Sequence, residues 1–112
     1  MTEEVQKLLV ALKSGAEALY RERLRGIYLY GSYARGEQTN HSDIDVLIVL
    51  DRIDSYGAEI DRTSQLIASL SLDFGTSISR VFATEEAWLG AQSVFLSTVR
   101  QEAVAAQKQS AR

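Results

Sequence analysis

The residues best suited to chemistry lie close together in the chain. They are Gly31-Ser32-Tyr33-Ala34-Arg35-Gly36, then six residues, then Asp43-Ile44-Asp45-Val46-Leu47-Ile48-Val49. Asp43 and Asp45 stand two apart at the mouth of an apolar run. On a strand, such residues share a face, so both carboxylates point one way while Ile44 and Val46 point into a core. Two neighbouring carboxylates repel, and a bound cation is the natural means of keeping both ionised. Oxygen ligands of this kind suit Mg²⁺, which takes one or two carboxylates and completes its shell with water and substrate phosphates. Gly31-Ser32 supplies the complementary chemistry. A glycine at a strand-to-helix turn lets backbone approach a ligand closely. Exposed N–H groups at a helix start bind phosphate, and the Ser32 hydroxyl adds a donor. Arg35, in the same turn, can pair with phosphate oxygens. A phosphate cradle beside a carboxylate pair reads as a site for a magnesium–nucleotide.

Several elements must position these groups. From about Thr2 to Arg25, Val5, Leu8, Leu9, Leu12, Ala16, Leu19 and Tyr20 mark one face of an amphipathic helix, with Thr2 as its cap. Gly26 interrupts that pattern, and Ile27-Tyr28-Leu29-Tyr30 reads as a strand. Tyr33 to Arg35 forms a helical turn that stops at Gly36, followed by a polar loop to Ser42 that carries His41, the one histidine. Ile44 to Leu50 is a nearly continuous Ile/Val/Leu run of the type buried on both faces. A second helix spans about Ser55 to Leu70, with Glu59-Ile60-Asp61-Arg62 as a solvated face. Leu72 to Phe74 and Ser77 to Ala83 read as strand around Gly75. Thr84-Glu85-Glu86 opens a last helix with a stripe of Trp88, Ala91, Phe95 and Val99, either core or a partner groove. Beyond about residue 101 the tail is expected to fray. The order αβ(α)βαβα predicts a single α/β (α+β) domain over 1–112, a small sheet flanked by helices.

Composition narrows the function. The 112 residues are 46% apolar and 24% charged, an ordinary globular mix. There is no cysteine, which excludes thiolate metal sites, Fe–S clusters and cysteine nucleophiles. Twelve basic and 15 acidic residues leave a net charge of −3, which argues against direct nucleic-acid binding through phosphates. No apolar run approaches a membrane span. An acidic start, Met1-Thr2-Glu3-Glu4, is unlike a signal peptide, so the expected compartment is the cytoplasm.

At the site residues the chain resembles the minimal nucleotidyltransferases of the DNA polymerase β superfamily. Their signature is Gly-Ser, about ten residues, then Asp-x-Asp. Here Gly31-Ser32 is followed by ten residues and Asp43-Ile44-Asp45, and Ala34-Arg35-Gly36-Glu37 and Ser42 also match. The resemblance is close over Gly26 to Leu50. It implies the nucleotidyltransferase fold, a small mixed sheet flanked by helices. It also implies Mg²⁺ ions on Asp43 and Asp45, with ATP held by Gly31, Ser32 and Arg35. The implied reaction is transfer of AMP to a hydroxyl, with Asp43 and Asp45 catalytic. Freestanding members pair with a HEPN-domain ribonuclease toxin and act as its antitoxin. A tyrosine of that toxin is then the acceptor, in a hetero-oligomer.

The family carries a third acid on a later strand. Here Ser79 occupies the matching place, and Asp73, flanked by Leu72 and Phe74, is the nearby acid. Such an acid helps hold the catalytic metal and draws the proton off the acceptor. Two classes therefore stay open: an adenylyl-transferring enzyme, and a degenerate antitoxin that neutralises its toxin by contact.

Overall fold

Thr2 opens the first helix of the computed structural model, which describes residues 2–106. Its hydroxyl accepts a hydrogen bond from the Val5 N–H at 3.2 Å, and Glu3 and Glu4 sit at the positive end of the helix dipole. This helix, α1 (Glu3–Tyr20), leads through a 3-10 turn (Arg21–Arg23) to β1 (Leu24–Tyr30). There follow α2 (Ser32–Arg35), β2 (Ile44–Leu50), α3 (Tyr56–Phe74), β3 (Ile78–Thr84), α4 (Glu85–Gly90), α5 (Val94–Glu102) and β4 (Val104–Ala105). The sheet order is β3-β2-β1-β4. β2 runs parallel to β3 and antiparallel to β1, and β4 is antiparallel to β1. The fold is the expected mixed sheet flanked by helices.

The Ile44–Leu50 run is apolar because β2 is an inner strand covered on both faces. Ile44, Val46, Ile48 and Leu50 pack with Ile27, Leu29 and Phe82 against α1 and α3. Leu47 and Val49 pack with Ala83, Trp88, Leu96 and Val99 beneath α4 and α5. Every β2 residue is buried except Asp45, which lies on this second face and is only partly covered.

The structure corrects the sequence reading in five places. First, α1 stops at Tyr20 and β1 begins at Leu24, with Gly26 inside the strand where the register with β2 shifts. Second, Leu72 to Phe74 is the last turn of α3, not strand. Gly75 takes the left-handed conformation (φ 64°) and caps the helix, its N–H donating to the Ser71 carbonyl. Leu72 is 83% exposed, so its apolar character reports no strand face. Third, the last helix is two. Ala91 at φ 46° ends α4, and the Ser93 hydroxyl caps α5 by accepting from the Leu96 N–H at 3.0 Å. Trp88 and Val99 are buried while Phe95 is 43% exposed, and Leu96 takes the core place.

Fourth, where fraying was expected from about residue 101, regular structure continues as far as the chain is described. α5 continues to Glu102, and β4 covers the free edge of β1 through Leu29↔Val104 and Tyr28↔Ala105. Buried Ala106 donates its N–H to the Ile27 carbonyl at 2.9 Å. Residues 107–112 of the predicted tail lie outside the described residues. Fifth, Glu59 is not on a solvated face. It is 3% exposed and accepts from the Tyr20 hydroxyl at 2.8 Å and from Arg62 Nε at 3.1 Å. Arg23 Nη2 adds a 3.4 Å contact. Burial raises the Glu59 carboxyl, but these donors outweigh it and hold it below its ordinary value. The network ties α3 to α1 and to the 3-10 turn before β1.

Candidate functional site

The site forms where β1 and β2 end side by side. β1 terminates at Tyr30, and Gly31 turns the chain into α2 with φ 77° and ψ −157°, a region open in practice only to glycine. A Cβ at this position would also overlap Asp45 Oδ2. Glycine is thus required twice, for the turn and for the approach of backbone to carboxylate. α2 is a single turn closed at Gly36, with Glu37 N–H donating to the Ser32 carbonyl at 2.9 Å. The Ser32 hydroxyl makes no hydrogen bond to another described residue. We expect Gly31→Ala to destabilise the fold by about 1–3 kcal/mol and to displace Asp45. Thermal melting and ATP calorimetry on one sample check both effects.

Asp43 and Asp45 are placed by the loop and sheet beneath them. The Ser42 hydroxyl accepts from the Thr39 N–H at 2.8 Å, and the Ile44 N–H donates to the Ser77 carbonyl at 2.9 Å, which pins the start of β2 beside β3. Asp43 lines a polar cleft of about 500 Å³ with Asn40, His41, Ser42, Thr76 and Ser77. Asp45 pairs with Tyr30 on β1 and Ser79 on β3, so the three stand in a row across the sheet. Burial and the adjacent Asp43 raise the Asp45 carboxyl above its ordinary value. Arg35 pulls it back, and Glu102 pushes it up again. Burial, with the Asp45 charge, also lifts the Tyr30 hydroxyl to about 12. A carboxylate that resists ionisation beside a second one is a place where a divalent cation relieves repulsion, so the oxygen set fits Mg²⁺. Among the described residues no cluster of three or more acids or histidines is placed to hold a metal. A cation here would complete its shell with nucleotide oxygens and water.

The position beside Asp45 is held by Ser79, while Asp73 is exposed on the last turn of α3 and belongs to no strand. The other acid near Asp45 is Glu102, at the end of α5. Its carboxylate accepts from the Gly31 N–H and from Arg35 Nη1 at 3.0 Å. Arg35 Nε donates to Glu37 at 2.8 Å, so the guanidinium lies between two carboxylates. Glu102 is not legible as a site residue in the sequence, because no local spacing links it to Gly31 at a separation of 71 residues.

The nucleotidyltransferase domain family matches residues 12–98. The chain belongs to that family. Among its relatives, a protein of Methanocaldococcus jannaschii named protein adenylyltransferase MJ0604 is 40% identical over 88 residues, covering 77% of this chain and 78% of that protein. The protein adenylyltransferase MntA of Thermococcus cleftensis is 37% identical over 70 residues, 62% of this chain and 69% of that protein. A solved nucleotidyltransferase from Sulfolobus solfataricus shares the fold, with TM-score 0.66 and 19% identity over 93% of this chain and 80% of its own. A toxin–antitoxin structure containing AMP-PNP superposes with TM-score 0.56 and 22% identity, covering 87% of this chain and 73% of that one. No helix among the described residues of this nucleotidyltransferase is long and apolar enough to cross a membrane.

Proposed function

We propose that this nucleotidyltransferase transfers AMP from ATP to a tyrosine hydroxyl of a HEPN ribonuclease toxin and serves as that toxin's antitoxin in the cytoplasm. The observation that carries the reading is the closure of the Gly31-Ser32 turn onto the Asp45 carboxylate; it supports a site in which N–H and hydroxyl donors suited to phosphate lie beside oxygens suited to a metal. Relatives named protein adenylyltransferases support AMP transfer to a protein. The likeness to toxin–antitoxin chains supports the fold that such a pairing uses. Asp43 and Asp45 would hold Mg²⁺, which would supply positive charge against the triphosphate as the transfer proceeds. The Gly31 N–H, the Ser32 hydroxyl and Arg35 then orient the phosphates and stabilise departing pyrophosphate. The acceptor oxygen bonds to the α-phosphorus, the bond from that phosphorus to pyrophosphate breaks, and the hydroxyl proton passes to solvent. Ser79, in the register place beside Asp45, supplies no carboxylate to take it.

That serine favours a second reading, in which the chain neutralises the toxin by stoichiometric contact and binds nucleotide without turnover. One experiment separates the two. The protein is incubated with ATP, Mg²⁺ and a HEPN protein encoded beside it, and the toxin is analysed by mass spectrometry for added AMP. AMP on a tyrosine supports transfer. An unmodified toxin that is still inhibited at equimolar antitoxin supports the second reading. In the same assay Asp73→Asn is expected to leave transfer within about twofold of the parent, because surface changes away from a site are near neutral. A fall of orders of magnitude would assign Asp73 the part of the third acid.

A further inference from the structure

Glu102 lies on the donors that the nucleotide reading assigns to phosphate. Its Oε2 takes the Gly31 N–H and Arg35 Nη1 together, and its side chain is 18% exposed. Little else favours a carboxylate at that place. It ends a helix, where the dipole is negative, and it sits close enough to Asp45 to discourage that group's ionisation. The attraction comes from a backbone N–H and a guanidinium, the pair that binds any oxyanion, carboxylate or phosphate alike. The contact is also anchored from behind. The Ala103 N–H donates to the Val99 carbonyl at 2.8 Å, and β4 continues onto the edge of β1. α5 thus delivers one carboxylate to the mouth of the cradle.

We infer that Glu102 is an internal stand-in for a nucleotide phosphate, and that it must leave Gly31 and Arg35 before ATP can occupy them. The inference rests on the nucleotide reading of this site. A ligand that binds only the vacated cradle has its affinity reduced by the fraction of molecules in which the cradle is free. Removing the carboxylate removes that reduction. A residue that held metal would behave oppositely, and its loss would weaken Mg²⁺-dependent binding.

The test is calorimetric titration of ATP with Mg²⁺ into the parent protein, Glu102→Gln and Glu102→Ala, with thermal melts alongside. Both variants are expected to bind about tenfold tighter, the scale of one charge-assisted hydrogen bond. The near-isosteric Glu102→Gln carries the result if Glu102→Ala fails to fold. Measurable binding by the parent with equal or weaker binding by folded variants overturns the inference and leaves the nucleotide reading standing. No binding by any of the three overturns both. In the parent protein, inorganic pyrophosphate is also expected to shift the Gly31 amide and the Glu102 side-chain carboxyl resonances together. A Glu102 carboxyl that does not respond while the Gly31 amide does would likewise overturn it.

Discussion

Asp43→Asn combined with Asp45→Asn is expected to abolish Mg²⁺-dependent ATP binding and to lower AMP transfer about a thousandfold or more, while the protein stays folded. Metal neutralisation of a transferring phosphoryl group is worth several kcal/mol at the transition state, hence orders of magnitude in rate. The fold survives because neither carboxylate holds the core. Asp45 is the one β2 residue left partly uncovered, and Asp43 precedes the strand in a polar cleft. The stability change has a definite sign. Asp45 titrates above its ordinary 3.8 in the folded protein. A carboxyl raised in this way favours the fold while protonated, and that benefit is lost as pH rises through the folded value. At neutral pH the charged wild-type carboxylate therefore opposes folding. Asp45→Asn is expected to melt higher than the parent at pH 7, with the gain vanishing below about pH 4. Calorimetry, a transfer assay and melting across pH check the three parts. Unchanged Mg²⁺–ATP affinity would remove these acids from the site.

Trp88→Ala is expected to destabilise the isolated protein by about 3–5 kcal/mol, the range for truncating a buried aromatic. For a chain of this size that lowers Tm by about 15 °C or more. Trp88 is 6% exposed. Its ring lies 4.6 Å from Tyr28, centroid to centroid, and the Arg100 guanidinium stacks 4.9 Å above it. The Arg100 Nη1 also donates to the Trp88 carbonyl at 2.9 Å. The residue thereby joins α4, α5 and β1 under the second face of the sheet. Sequence spacing left Trp88 open as core or partner groove, and burial decides for core. A variant that melts with the parent yet loses a partner would show an interface instead. Equilibrium denaturation of the free protein settles which.

Local chemistry made much of this protein legible in its sequence. Gly31-Ser32 and Asp43-x-Asp45 stand out because the nucleotide chemistry proposed for them needs particular residue types at short spacing. A strand mouth puts alternate carboxylates on one face, and a turn before a helical segment bares N–H groups. The Ile44–Leu50 run, apolar but for Asp45, identified β2 because a strand covered on both faces reads as a nearly continuous apolar run. Capping chemistry at Thr2 likewise marked α1 before any contact was known. Tertiary structure decided whatever depends on residues distant in the chain. Leu72-Asp73-Phe74 has strand-like flanks, but the left-handed cap at Gly75 lets α3 run through it, which removes Asp73 from the sheet. The parallel register of β3 on β2 sets Ser79 beside Asp45, a relation that spacing alone left open against Asp73. Glu59 is buried because Tyr20, Arg23 and Arg62 converge on it from three elements, which no helical periodicity encodes. Glu102 reaches Gly31 because β4 turns the end of the chain back onto β1, and such a contact arises from how elements pack rather than from the order of residues within any one of them.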